Sequence, residues 1–170
     1  MACIIVEGVT LDCRQGAGGL NKIYLTEWAN IASITSSSGT ITAISMNSGK
    51  KFWEVQVEME DAQFNEDATV SVENNTTFYA QTLTFSVYKM TAKNRNIIRL
   101  YTQNRLAVIV GDLDGVYRLA GETRAMHLTA AAGTTGKASG DKNGYNITLT
   151  GKEPLPPNTV SSGIIAALLV

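Results

Sequence analysis

RLAVIVGDLDGVYRLAG, residues 105–121, is the stretch on which the fold turns. Residues 106–110 are apolar at every position. Successive side chains of a strand point to opposite faces, so such a run needs cover on both sides. Asp114-Gly115 then turns the chain and residues 116–120 return. One cover is expected just upstream. In TAKNRNIIRLYTQN, residues 91–104, Thr91 is placed to cap a helix, and Ile97, Ile98, Leu100 and Tyr101 form the stripe of a helix laid on a sheet.

Further out, period-2 alternation dominates. In FWEVQVEMEDA, residues 52–62, the spacing predicts a long strand with Trp53, Val55, Val57 and Met59 in the core and Glu54, Gln56, Glu58 and Glu60 opposite. TTFYAQTLTFSVYKM, residues 76–90, places Leu83, Phe85 and Val87 on one face. The polar residues 65–75 between them read as a loop that lets the two strands pair antiparallel. Residues 4–11 open with a short apolar run, and GAGG, residues 16–19, breaks the chain. Beyond it, Ile23, Leu25, Trp28 and Ile31 mark residues 21–35. Residues 36–39 are a turn and residues 40–46 another strand. AMHLTAAA, residues 125–132, and YNITLT, residues 145–150, are further strands, with Asn143-Gly144 as a turn pair and Pro154, Pro156 and Pro157 as the stop.

The expected fold is mostly β: an antiparallel β-sandwich or β-barrel of about eight or nine strands with one packed α-helix. Residues 1–160 form a single domain. Residues 161–170, an apolar C-terminal tail, dock on a neighbour or on the chain's own core. Eight apolar residues, GIIAALLV, fall short of the ~20 that span a membrane.

The composition limits the function. Charged residues are 17% of the chain and the net charge is -1, against roughly 25% charged residues in an ordinary soluble domain. Bulk attraction to nucleic acid is excluded. A surface covered by Ser, Thr, Asn and Gly suits a protein whose exterior is buried against other subunits. Cys3 and Cys13 are expected to stay reduced, since no secretory signal precedes them, and the compartment expected is the cytosol in which the protein is made.

Catalytic and ligand motifs fail their own chemistry. Gly136-Lys137 suggests a phosphate loop, but Ala138 stands where a magnesium-binding hydroxyl belongs, and the stretch leads to a strand, not a helix. His127, the one histidine, has no partner at metal or triad spacing. Glu54, Glu58 and Glu60 are more simply a solvated or lumen-facing row than a general-acid pair. Residues 112–115, DLDG, lack the later ligands of a calcium loop. Asn75 and Asn146 begin glycosylation sequons that carry little without a secretion signal. No enzyme, metal or cofactor is expected. A binding module remains the alternative class, with Trp28, Phe52, Trp53 and Tyr145 as stacking residues or, more simply, core anchors.

Residues 77–122, then GTTGKASGDKNGYNITLTGKEPLPP, residues 133–157, resemble the tail-tube proteins of tailed bacteriophages. The shared pattern is a strand, an amphipathic helix, a buried strand with a D-x-x-G turn, and a closing hairpin ending in an acidic residue and proline. The resemblance covers residues 51–157. It implies two packed sheets flanked by a helix, and a structural virion subunit of which six copies form a ring. Stacked rings form a tube that conducts DNA during ejection without sequence-specific binding. The partners implied are the chain itself and other virion tail proteins, and the location is the virion. A tail terminator, neck or ring protein is the alternative place. Under this resemblance Glu54, Gln56, Glu58 and Glu60 line the lumen, where like charge repels DNA. Asn47, Ser48, Gly49, Lys50 and Lys51, together with Gly133, Gly136, Lys137, Gly140 and Asp141, form loops that reach neighbouring subunits or rings.

Overall fold

A computed structural model describes residues 5, 7–11, 14 and 16–170. Cys3 and Cys13 lie outside the described residues, as does much of the first apolar run; residues 7–11 form no strand. Eleven strands, two α-helices and a 3-10 turn follow.

The chain folds as a β-sandwich with a packed helix. One sheet holds seven strands in the order β2-β3-β11-β8-β7-β1-β4. These are β1 (Leu20–Glu27), β2 (Ile31–Ser37), β3 (Thr40–Met46), β4 (Trp53–Val55), β7 (Leu106–Asp112), β8 (Tyr117–Ala120) and β11 (Thr159–Val160). The other, in the order β5-β6-β10-β9, contains β5 (Ala62–Ser71), β6 (Thr76–Tyr88), β10 (Gly144–Glu153) and β9 (His127–Thr134). Helix α1 (Ala92–Gln103) lies against β9, and α2 (Ser162–Leu168) ends the chain.

Strand β7 sits beside β1 and β8, and its alternate residues enter different cores. Leu106, Val108 and Val110 meet Ile23 and Leu25 of β1, Leu83 and Phe85 of β6, Ile147 and Leu149 of β10, and Ile98 of α1. Ala107 and Ile109 face the other way, toward Ile41, Phe52, Leu119, Ile165 and Leu168. The all-apolar run therefore has its two covers. One is the four-stranded sheet with α1; the other is the C-terminal segment, which docks on the chain's own core.

Local signals account for much of this. Thr91 accepts from the Asn94 amide and caps α1. Ser38 and Gly39, with φ of 51° and 78°, close β2 on β3 in a two-residue turn of the kind that matches strand twist. Asp112 accepts from the Val116 amide at 2.8 Å and from Arg118 at 2.7 Å, fixing the β7–β8 turn.

Three expectations are corrected. The strand predicted over residues 52–62 is cut to β4, three residues at the sheet edge. Phe52, not Trp53, is the buried aromatic, because its backbone is tied to the chain end, donating to Leu168 O at 2.9 Å and accepting from Val170 N at 3.3 Å. Past Val55 the chain leaves the ladder, and Glu60 at φ 63° turns it into β5. Trp53 and Met59 consequently stay 63% and 77% exposed. Second, most of the segment read as a loop is β5, paired residue for residue with β6 from Ala62↔Phe85 to Ser71↔Thr76. Ladder hydrogen bonds hold it where no hydrophobic alternation marks it. Third, Asn143-Gly144 is not the turn pair, since Gly144 already lies in the ladder opposite Tyr88 and Thr134.

Candidate assembly surfaces

Strands β6 and β10 occupy the middle of the four-stranded sheet, leaving β5 and β9 as its edges. Edge strands are ordinarily blunted by charge, proline or short length. β9, HLTAAAGT, has eight residues, no Lys, Arg, Asp, Glu or Pro, and almost all of it is exposed. It carries one irregularity, near Thr129. Gly133 sits in this strand and not in a loop. A Cβ there would lie 2.8 Å from the Tyr145 ring, so glycine makes room for that buried aromatic.

The register defines the sheet's solvent face. Gln63, Asn65, Asp67 and Thr69 of β5 stand beside Thr82 and Thr84 of β6, then Asn146, Thr148, Thr150 and Lys152 of β10, then Ala130 and Ala132 of β9. Phe78 and Ala80 of β6 share this face, Lys152 lying 5.2 Å from the centre of the Phe78 ring, and the face is otherwise polar and nearly neutral. The four residues expected to line a lumen are elsewhere and do not form a row. Glu54 is on β4, paired with Lys22 at 2.8 Å, and that contact raises the lysine above its ordinary value. Gln56, Glu58 and Glu60 follow the strand's end, in irregular chain.

At one end of the sandwich, residues 54–58 and α1 enclose a groove of about 460 Å³. Val55, Val57, Val87, Ile97, Ile98 and Tyr101 supply its apolar walls, with Glu54, Glu58 and Lys93 among its charged residues. Burial raises the Tyr101 phenol above its usual value. Beside the groove, Ser86 donates to Asp61 at 2.8 Å, while Lys142 touches both Ser86 and Asn146 and lies 5.2 Å from the centre of the Tyr88 ring. The Asp61 carboxylate beside it pushes the Tyr88 phenol up. Ser86 is 4% exposed and its hydroxyl oxygen accepts a hydrogen bond from the Lys142 ammonium. The cluster ties the ends of β6 and β10 together and presents no activated nucleophile.

At the opposite end, β10 accompanies β6 only as far as Tyr79. Residues 69–78 run on as a two-stranded arm, with Val70 and Val72 62% and 88% exposed. Sequence periodicity missed this arm because Glu66 breaks the apolar row of β5 before the strand leaves the core.

The two expected contact loops lie against different elements. In residues 47–51, Asn47 donates to Asn30 O and Ala29 O at 2.8 Å each, and Lys51 reaches Ala167 O at 3.3 Å. Ser48, Gly49 and Lys50 are exposed. In the β9–β10 connection, Asp141 accepts from the Lys137 and Ala138 amides at 2.8 and 2.7 Å. These hydrogen bonds, Ala138 foremost, hold its carboxyl below the usual aspartate range. The amides that a phosphate would need are thus taken by the loop's own carboxylate. Gly136, at φ 71°, completes the turn, and Gly140 is exposed.

Glu153 closes the far end of β10. It is 2% exposed and accepts from the Thr123 amide at 3.2 Å and the Arg124 amide at 2.8 Å, pinning the β8–β9 connection. The four aromatics weighed as a stacking platform do not converge. Phe52 and Tyr145 belong to different cores, the Trp28 indole donates to Glu122 O at 3.1 Å, and Trp53 is on an edge. Among the described residues no group of three or more His, Cys, Asp or Glu is placed to hold a metal ion, and His127 is exposed. Among them too, no helix is long and apolar enough to cross a membrane. No family model, no curated protein and no solved structure matches this chain.

Proposed function

We propose that the chain is a structural subunit of a phage tail tube, in which copies join through the four-stranded sheet into a ring. The observation that carries this reading is the β9 edge, which has neither charge nor proline along its length, with α1 packed against the strand and one irregularity near Thr129. Eight residues of pairing capacity without a charge or proline are a liability in a lone molecule and a joint in an assembly.

Strand direction favours the same joint. β5, β6, β10 and β9 alternate in direction, so β9 of one copy runs antiparallel to β5 of the next when all copies share one orientation. Such a heterologous contact can close into a barrel of four strands per copy, twenty-four in the six-fold ring implied by the resemblance. The lumen wall is then the Thr, Asn and Gln face of this sheet. A neutral hydroxyl-rich wall offers DNA no array of cations to hold it in transit.

The reading is tested by electron microscopy and light scattering of the purified protein and of its virion-associated form. Rings or tubes are expected. The double variant A130K/A132K, which charges the edge, is expected to remain folded by circular dichroism and to lose them. A protein that is monomeric in both forms, or rings indifferent to the edge charges, refutes the joint.

A further inference from the structure

We propose that the arm of residues 69–78 docks in the groove beside α1 of a second copy, joining subunits head to tail along the strand direction. The inference rests on reading the chain as a self-assembling subunit and adds a contact distinct from the β5–β9 joint.

The arm carries core-type residues out of the core. Ala62, Phe64, Glu66, Ala68 and Val70 share one face of β5, and the first two pack inside the sandwich. Val70 continues that row where no second sheet covers it, and Val72 follows at the turn. Beyond Tyr79 the arm is two strands only, and an isolated hairpin is at best marginal in water. It needs a surface.

The groove supplies the complementary deficiency. Val87, on the core face of β6, and Val55, Val57 and Ile97 are half-buried where the sandwich ends, with the buried Ile98 beneath them. Arm and groove sit at opposite ends of the thirteen-residue β6, roughly 40 Å apart at strand rise. The arm therefore cannot fold back into its own groove without breaking β6. A neighbour displaced along the strand axis can provide the fit, and the two patches then repeat in every copy. Being unlike each other, they form a heterologous contact that propagates.

The charges agree. Glu54 is neutralised by Lys22, and Lys93 makes no salt bridge among the described residues. Glu73, at the arm's tip, is likewise unpaired and carries the sign that suits Lys93. Asn74, whose amide donates to Ser71 Oγ at 3.1 Å, and Asn75 follow it, and the Asn75 amide is a donor suited to Glu58.

Disulfide trapping tests the contact. In a C3S/C13S background, preparations carrying V70C or V72C are mixed with preparations carrying V57C or I97C and oxidised at assembling concentration. At least one arm–groove pair is expected to give covalent dimers some tenfold above the V72C/L100C control, because Leu100 lies on α1 outside the groove. If no pair exceeds the control, the docking is overturned. Rings without trapping overturn the docking and leave the β5–β9 joint standing. Trapping without rings supports the docking and removes the ring. Neither product overturns both.

Discussion

Phe52 decides whether the last ten residues belong to the core. Its side chain is fully buried among Ile41, Ile109, Leu119, Ile165 and Leu168. Its backbone grips both ends of the contact, at Leu168 O and Val170 N. Helix α2 has seven residues and no side-chain hydrogen bond at its N-cap, far below the ~12–15 at which an isolated helix is even marginal. Its helicity must come from packing. An aromatic side chain buries about 150–250 Å², which at about 25 cal/mol per Å² corresponds to about 4–6 kcal/mol. Alanine keeps the Cβ, so the loss for F52A settles near the 3–5 kcal/mol seen for buried Phe→Ala changes. That is a large share of the ~5–15 kcal/mol that holds a domain together. Urea unfolding reads the loss. Hydrogen exchange reads its location, since Phe52, Val170 and α2 amides should lose protection while β6 and β10 keep theirs. A loss below about 1 kcal/mol with α2 protection unchanged refutes the packing argument.

Two other sites make separate predictions. E153Q replaces a charged acceptor of two amides by a neutral one, and should lower stability by about 1–2 kcal/mol in urea, with E153A costing more. Asp141, whose carboxyl is held down by the Ala138 and Lys137 amides, favours the loop most fully above its unfolded pKa. That contribution is lost progressively as pH falls from the unfolded value through the lower folded one. The Lys137 and Ala138 amide resonances should therefore shift at a pH below the ordinary aspartate range. D141N should remove the titration, and a midpoint at the ordinary aspartate value would refute the hydrogen-bond account.

The sequence made the centre of the molecule legible and its margins less so. Residues 106–110 demanded two covers because burial on both faces leaves no polar position, and β7 shows both. The cap at Thr91 and the turn at Ser38-Gly39 are local, and were readable for that reason. The aromatic pair Phe52-Trp53 was misread by one position. Alternation alone does not say which of two neighbours faces inward, and the tie from Phe52 to Leu168 and Val170 comes from more than a hundred residues away.

The candidate surfaces divide in the same way. The uncharged composition of β9 is written in its residues, yet only the strand order makes β9 an edge. The alternation of Glu54 to Glu60 suggested a wall, but β4 ends at Val55 and the acids disperse. β5 lacked a hydrophobic period because Glu66 interrupts its inward row and its last three residues, 69–71, run past the end of β10. Its ten-residue ladder with β6 is a non-local pairing invisible to a window on the chain.

By itself, then, the sequence determined which segments must be buried, where the helix starts and where a hairpin turns, since these follow from side-chain polarity and backbone preference within a few residues. Tertiary structure alone decided which strands stand at edges, where the core opens as a groove and which strand pair runs beyond it. Those properties depend on what lies across the sheet, and a residue's own neighbours along the chain do not carry that information.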